Sequence, residues 1–456
     1  MTAANITLAV FFGLRNTPMR QLTTETYNRL NFLHRIVGYT AIAQVLLHAT
    51  LYLTRFVSQN RWRVVLERPN LEGIISSVGM IILLAGIIRH QNYEVFYVSH
   101  VLGAVVTILF AALHRPFWLE RLPIIMVIAA TMWGFDRLLR GACLLSNLYN
   151  NTATLYPLPD GGVRLVLKNA PASFSPGLHC FVWIPSIKPF ETHPFTIVSN
   201  TSSGLELVLK THAGFTKDLY KHTISDPGRA IKASVEGPYG SLPDLQHFER
   251  IIFIAGGSGA AFTFGLANKL LSQIEPGSPQ LVDFIWTVRK KENLTWFISH
   301  LDELRSHPSR INVVLHVTGE SFVNTPVPCT SSPGSSTPLL LASRDFTSQI
   351  SRDEPTEFLQ RLLKTRLDSP GEEENDPLRD ETFESMDLDN RFDVRYKRMR
   401  VCKVIHETVE SVGTNQRLLI ATCGPKSLIA DVMNTAGECI SSDGPSIEVH
   451  CESFDL

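Results

Sequence analysis

The sequence predicts a multi-pass α-helical membrane domain followed by a water-soluble half, an antiparallel β-barrel and then a parallel α/β sheet. Three observations carry this. Apolar residues crowd into the first 140 positions, where four runs approach membrane-spanning composition. Short alternating strands punctuated by Pro and Gly occupy Asn150 to Phe248. From Glu249 longer apolar strands alternate with helical stretches, and the first of them runs into a Gly-rich turn.

At 456 residues the chain has room for about two or three domains, and its net charge of -1 gives no general attraction to nucleic acid. The seven cysteines are scattered without a CxxC spacing, which argues against a zinc site or a disulfide scaffold. Metal chemistry must then rest on histidine.

Residues 1–14, MTAANITLAVFFGL, have no basic leader or small-residue cleavage site, so a signal peptide fits poorly. The run is short of the roughly 20 residues that a span needs. It reads as the tail of a helix whose beginning is absent from this chain. Four predicted spans follow: Asn31–Phe56, Gly73–Ile88, Val95–Leu113 and the weaker Leu122–Phe135, which reaches full length only with its charged flanks. Four such runs so close together favour a bilayer over a soluble core. Arginines divide almost evenly between the two sides, so the positive-inside rule is mute.

Strands are expected in GVRLVLKN, LHCFVWIP, HPFTIVSN, LELVLK and AIKASVEG, the spacing of an antiparallel barrel. RIIFIAGGSGAAF, LVDFIWTV, INVVLHV and RLLIATCGP have the cadence of a parallel α/β sheet. Residues 320–397 interrupt it, first rich in Ser, Thr and Pro and then acidic, and are read as a disordered insertion. The resulting domains are 1–145, 146–248 and 249–456.

Within the apolar region His34 and His48 share one predicted helix, and His100 and His114 another. Each pair is 14 residues apart, about 40° short of four full turns, so both members lie on one face with a rise of about 21 Å. One hairpin partner separates the two helices, so they run in the same direction. His34 is therefore level with His100, and His48 with His114. Ionisable groups at membrane depth are functional by default, and two level pairs can each clamp a haem iron from both sides. Such bis-imidazole ligation of two b-type haems leaves no open position at the metal, which suits electron transfer. The alternative is four histidines satisfied by helix–helix hydrogen bonds. Arg35 and Arg115, each next to a ligand candidate, could neutralise propionates or simply snorkel; His90 lies at a loop.

HPFTIVS at His193–Ser199 resembles the flavin-binding strand of the ferredoxin-NADP reductase superfamily, in its membrane ferric reductase and NADPH oxidase version. The resemblance implies that His193, Pro194, Phe195 and Thr196 line FAD, with Thr196 near the reactive ring nitrogen. KTHAGFTKDL is similar to the segment holding the FAD pyrophosphate, through Gly214, Phe215 and Thr216 at a helix start. SPGLHCFVWIP, with Gly177 and His179, matches the preceding barrel strand. AGGSGAAFTF follows an apolar strand and opens a helix, so Gly256, Gly257, Ser258 and Gly259 would admit the NADPH pyrophosphate. In WTVRKK, Arg289 would meet the ribose 2′-phosphate; a solvated basic turn is the other reading. Cys423, Gly424 and Pro425 match the nicotinamide-side motif, the cysteine as a packing residue rather than a nucleophile. Phe454, in the terminal HCESFDL, would cover the flavin or pack in the core.

The resemblance covers nearly the whole chain, including RNTPMRQLTTETYNRLNFLHR at Arg15–Arg35, which is similar to a cytosolic loop of fungal ferric-chelate reductases. It implies a ferredoxin-NADP-reductase-like module with an FAD-binding barrel and a Rossmann-like NADPH domain. It also implies electron flow from NADPH through FAD and the haems to ferric or cupric chelates outside the cytosol. NADPH is cytosolic, so the chain after Arg140 faces the cytosol. The expected setting is a plasma-membrane bilayer, with a metal permease or ferroxidase as partner and no nucleic acid. Such proteins usually carry further membrane helices upstream, and the 320–397 insertion replaces a short link. A superoxide-generating NADPH oxidase uses the same parts, although no EF-hand loop is visible. A non-catalytic membrane subunit is the rival of another class.

Overall fold

A computed structural model describes residues 1–16, 27–84, 86, 93–114, 121–273, 280–319, 388–441 and 444–453. The N-terminal third forms five helices among these residues: α1 (Thr2–Gly13), α2 (Tyr27–Ser58), α3 (Arg68–Leu83), α4 (Tyr93–Leu113) and α5 (Leu122–Leu148). Three of them carry stretches long and apolar enough to cross a membrane: Leu30–Ser58, Val95–Leu113 and Leu122–Leu148. Only 11%, 17% and 22% of their most apolar windows are buried, and Leu47, Leu51, Val98, Leu102 and Val127 point outward. An apolar helix that buries so little of itself in protein needs lipid around it.

The fourth expected span, Gly73–Ile88, starts earlier than expected: its helix begins five residues before, at Arg68, and is described to Leu83, while residues 85, 87 and 88 lie outside the described residues. Pro69 starts it, with φ already set for a first turn, and Arg68 pairs with Glu72 at 3.0 Å one turn on. The weakest span was underestimated. α5 runs 13 residues past Phe135 because its charged second half is paired within the protein: Asn16 donates to Asp136, and Arg140 to Glu236.

α1 packs on α2, α3 on α4, and α5 on α1 and α4. The α3–α4 crossing is close. A Cβ at Gly79 would lie 3.0 Å from Gly103 O, and one at Gly103 the same distance from Gly79 O. Small residues at the crossing bring the two backbones together, and Ser76 Oγ donates to Thr107 O across it at 3.0 Å.

Seven strands form an antiparallel sheet: β1 (Thr152–Leu158), β2 (Gly162–Leu167), β3 (His179–Trp183), β4 (His193–Thr201), β5 (Gly204–Lys210), β6 (Ala230–Lys232) and β7 (Ser234–Tyr239). Their order is β6-β1-β2-β5-β4-β3-β7. The two end strands are joined by Ala233 alone, so the sheet must curl until its edges meet, which makes the expected barrel. Its interior holds Leu155, Leu165, Cys180, Val182, Ile197, Leu207 and Val235, capped by Phe215 and Leu219 of α6 (Phe215–Ser225). β1 was not expected as a strand; Pro157 within it demotes the pattern, as proline does at sheet edges and strand ends.

β8 (Arg250–Gly256), α7 (Ala260–Gln273), β9 (Leu281–Val288), α8 (Ile298–Arg305) and β10 (Ile311–Val317) begin the second sheet. Then come a one-turn helix α9 (Leu388–Arg391), β11 (Asp393–Arg395), α10 (Val401–Ser411), β12 (Arg417–Cys423), α11 (Lys426–Glu438) and β13 (Ser446–Glu452). Five strands lie in the order β10-β9-β8-β12-β13, all parallel, with the α10/α11 side packed over Ile252, Ile254, Ile285 and Ile420. The chain divides into two units, residues 1–322 with 394–456 and residues 323–393; of the second, residues 388–393 are described. The expected disordered insertion is therefore too long at its C-terminal end: residues 388–397 are described and include α9 and β11, with Leu388 and Phe392 buried. Residues 320–387 lie outside the described residues.

Candidate functional site

The helix faces bring the four membrane histidines together as two pairs. His34 and His100 have ring centroids 6.1 Å apart, and His48 and His114 6.5 Å. His34, His48 and His100 are helical; His114 follows the last residue of α4, its N–H still donating to Phe110 O at 2.9 Å. With metal–imidazole bonds of about 2 Å, two rings flanking one ion have centroids about 6 Å apart, so both pairs have the right separation. His34 Nδ1 donates to Ala9 O at 2.8 Å and His114 Nδ1 to Pro69 O at 2.7 Å. A carbonyl only accepts, so both rings carry a hydrogen on Nδ1, and the neutral ring with that hydrogen is the tautomer that offers Nε2 to a metal. No cluster of three or more metal-binding side chains occurs among the described residues, and ligation by two imidazoles with a porphyrin requires none. Arg115 and His90 lie outside the described residues.

The expected flavin residues also converge. β4 carries His193, Pro194, Phe195 and Thr196, and His193 stacks on Phe215 with centroids 4.2 Å apart and planes 13° from parallel. Phe195 lies 6.2 Å from the same ring. Gly214, the N-cap of α6, has φ 84°, a conformation that glycine takes without strain. No side chain caps the N–H groups of that helix start, which leaves them for an anion. Thr216 instead ties its hydroxyl to His212, accepting from the N–H at 2.8 Å and donating to the carbonyl at 3.0 Å. Gly177 donates its N–H to Ile197 O at 2.8 Å, and His179 pairs in register with Thr196.

At the parallel sheet, two motifs 164 to 169 positions apart in their contacting residues form one turn-on-turn contact. A Cβ on Gly259 would fall 2.3 Å from Cys423 O, and one on Gly256 would fall 2.7 Å from Pro425 Cδ. Gly424 would meet Gly256 at 3.0 Å. Gly257 sits at φ 57°, and its carbonyl accepts from the fully buried Trp286 indole at 3.0 Å. Cys423 is fully buried, and burial pushes its thiol up, which suits a packing role. Arg289 follows β9 and is exposed. Phe454 lies outside the described residues.

Several groups that join the parts carry no local sequence signal. Arg140 of α5 makes a two-pronged bond to Glu236 of β7 at 2.7 and 3.1 Å, and Tyr239 donates to the same carboxylate at 2.6 Å. Arg15, past the end of α1, lies 4.0 Å from Glu236 and places its guanidinium 3.6 Å over the Phe181 ring. Burial would raise the Glu236 carboxyl, but the Arg140 and Tyr239 hydrogen bonds and the Arg140 and Arg15 charges hold it below its usual range. Between barrel and sheet, His300 Nε2 donates to Glu206 at 2.9 Å while Asn268 donates to His300 Nδ1 at 3.1 Å. Arg164 lies 3.3 Å from Glu206. Burial opposes ionisation of Glu206 too, and the His300 hydrogen bond, with Arg164 and Ser199, outweighs it. Lys290 pairs with Asp160 at 2.7 Å, and the Trp296 indole donates to Pro159 O at 3.0 Å.

Three families match successive segments: "Ferric reductase like transmembrane component" over residues 1–111, "FAD-binding domain" over 148–242 and "Ferric reductase NAD binding domain" over 248–437. The chain belongs to the ferric reductase family. It is a membrane protein with FAD- and NAD(P)-binding domains. Ferric reductase transmembrane component 6 of Saccharomyces cerevisiae is 24% identical over 69% of this chain and 46% of its own length. Ferric/cupric reductase transmembrane component 2 of Schizosaccharomyces pombe is 22% identical over 68% and 64%. The Saccharomyces cerevisiae protein of that description is 24% identical over 96% and 58%. This ferric reductase-family chain thus spans 46% to 64% of the length of these relatives. Solved structures similar to it include ferredoxin-NADP+ reductase from Plasmodium falciparum (TM-score 0.39, 13% identity, 67% of this chain and 95% of that one). Another is phthalate dioxygenase reductase (TM-score 0.37, 14% identity, 67% of each chain).

Proposed function

We propose that this chain carries electrons across a bilayer, from cytosolic NADPH to a ferric or cupric chelate on the far side, at the plasma membrane and in support of metal uptake. The observation that carries this reading is the pair of level imidazole couples, 6.1 and 6.5 Å between centroids, one above the other along two parallel helices. When bound, FAD takes a hydride as two electrons and releases them singly, and a haem between each imidazole couple accepts one electron at a time.

The chain's own residues then have these tasks. Gly256, Gly257, Ser258 and Gly259 give the NADPH pyrophosphate a turn without side-chain obstruction, held in shape by Trp286 and by Cys423, Gly424 and Pro425. Exposed Arg289 meets the 2′-phosphate and selects NADPH over NADH. The open N-terminus of α6 after Gly214 takes the FAD pyrophosphate, with the stacked His193 and Phe215 and the β4 residues Pro194, Phe195 and Thr196 forming the flavin wall. Phe454 covers that wall until nicotinamide arrives. His34 and His100 hold the inner iron, His48 and His114 the outer one. A permease or ferroxidase that takes the reduced ion belongs to the same reading.

A reduced-minus-oxidised absorption spectrum of the purified protein tests it. The expected result is a b-type signal with two haems per chain, one lost on His48→Ala or His114→Ala. Ferric reduction by NADPH should be insensitive to superoxide dismutase. A colourless protein after haem supply sinks the transmembrane path, and dismutase-sensitive dye reduction makes oxygen the acceptor.

A further inference from the structure

His34 and His114 donate to backbone carbonyls and are seated in the same way by helices of unrelated sequence. Ala9 O accepts from His34, and four residues on in α1 stands Gly13. Pro69 O accepts from His114, and four residues on in α3 stands Gly73. In a helix the carbonyl of residue i already accepts from the N–H of i+4, which leaves one lone pair. A side chain at i+4 leans back over that turn and covers the carbonyl. Glycine there uncovers it. A Cβ on Gly13 would lie 3.2 Å from His34 Nδ1, and one on Gly73 would lie 2.9 Å from His114 Nδ1. His48 and His100 each lean on an aromatic ring four residues away on their own helix, Tyr52 at 4.6 Å and Phe96 at 5.3 Å, and His100 also faces the Leu83 backbone of α3.

We propose that Ala9/Gly13 and Pro69/Gly73 are two backbone seats that fix His34 and His114 in the Nδ1–H tautomer and set the strength of one ligand at each iron. Gly13 and Gly73 are positioning residues, and the proposal rests on the haem reading above. A hydrogen bond at the outer nitrogen raises ligand basicity, and losing such a partner typically weakens metal binding about 10- to 100-fold. Alanine at Gly73 forces the His114 ring to shift, and alanine at Gly13 makes the His34 ring give by a few tenths of an ångström, which strains each hydrogen bond by steric contact alone.

The test uses the full chain, purified with haem, as wild type, Gly13→Ala, Gly73→Ala and Gly134→Ala. Gly134 lies on α5, which carries none of the four histidines, and a Cβ there meets nothing within 4 Å, so it serves as control. Haem transfer to excess apomyoglobin, redox titration and low-spin electron paramagnetic resonance are read on each. Gly13→Ala should speed loss of one haem about 10- to 100-fold, raise its midpoint potential and shift its resonance, leaving the other haem as in wild type. Gly73→Ala should do the same to the other haem, and Gly134→Ala should change neither. Haem-replete alanine variants indistinguishable from Gly134→Ala overturn the seats while the haem reading stands. A wild type without haem overturns both. Should the variants not accumulate, 15N shifts of the imidazoles in haem-free wild type decide, and a majority of Nε2–H rings at His34 and His114 overturns the proposal.

Discussion

Replacing Glu236 with alanine strikes the join between bilayer and barrel. The carboxylate accepts both prongs of Arg140 and the Tyr239 hydroxyl, and the Arg140 and Glu236 side chains are 9% and 4% exposed. Removing one partner of a buried pair leaves the other charge uncompensated, at a cost of about 3–5 kcal/mol. At about 1.4 kcal/mol per decade this raises the population of the open join by about 100- to 1,000-fold or more. Hydrogen exchange in β7 follows that opening through the loosening of the strand, because the Asn147 side chain donates to Val235 O and the Ser234 hydroxyl donates to Leu144 O beside the pair, tying β7 to α5. The expected outcome is β7 exchange faster by at least about 100-fold in Glu236→Ala, with NADPH still reducing the flavin and transfer into the membrane half slowed. Glu236→Gln, which keeps the shape and loses the charge, should fall between. Protection in β7 within threefold of wild type would refute the idea that this pair holds the barrel to α5.

Three further outcomes are expected. The folded-state carboxyl of Glu206 is depressed, so its stabilisation is complete above the unfolded value of about 4.3 and drains away as pH falls through the folded value. Unfolding followed by flavin fluorescence between pH 7 and 3 should show an acid arm that Glu206→Gln flattens. Cys423→Ala should keep NADPH oxidation within a few-fold, and iodoacetamide should not label this thiol in the folded protein; rapid labelling would contradict its burial. Gly259→Ala puts a methyl 2.3 Å from Cys423 O, so nucleotide affinity measured by titration should fall by at least about tenfold, or the variant should not fold.

What could be read from the sequence was whatever repeats over a short window. Long apolar runs, the 14-residue histidine spacing and the strand–GGSG–helix order are local patterns, and they led to α2, α4, β4 and β8 with their side chains. The start of the Gly73–Ile88 span was placed five residues late because an apolar window ignores helix starts: Pro69 and the Arg68–Glu72 pair begin α3 in polar sequence. α5 was cut short because Asp136 and Arg140 look like the end of a span until Asn16 and Glu236 are known to meet them. Glu206 with His300, 94 positions apart, and Glu236 with Arg140, 96 apart, have no local signature. The seats at Ala9 and Pro69 are hidden more deeply still, since a backbone carbonyl has no letter of its own.

Helix α5 is unbroken for 27 residues, which at 1.5 Å each is about 40 Å, some 10 Å more than a hydrocarbon core is thick. Tyr149 to Asn151 then lead straight into β1. The barrel is thus mounted on a stiff axle, and its azimuth follows from a residue count. One residue inserted near Gly141 would advance it by only about 1.5 Å yet swing it by about 100°. Its Glu236 edge would then face away from Arg15, so the count along this axle matters more than its composition.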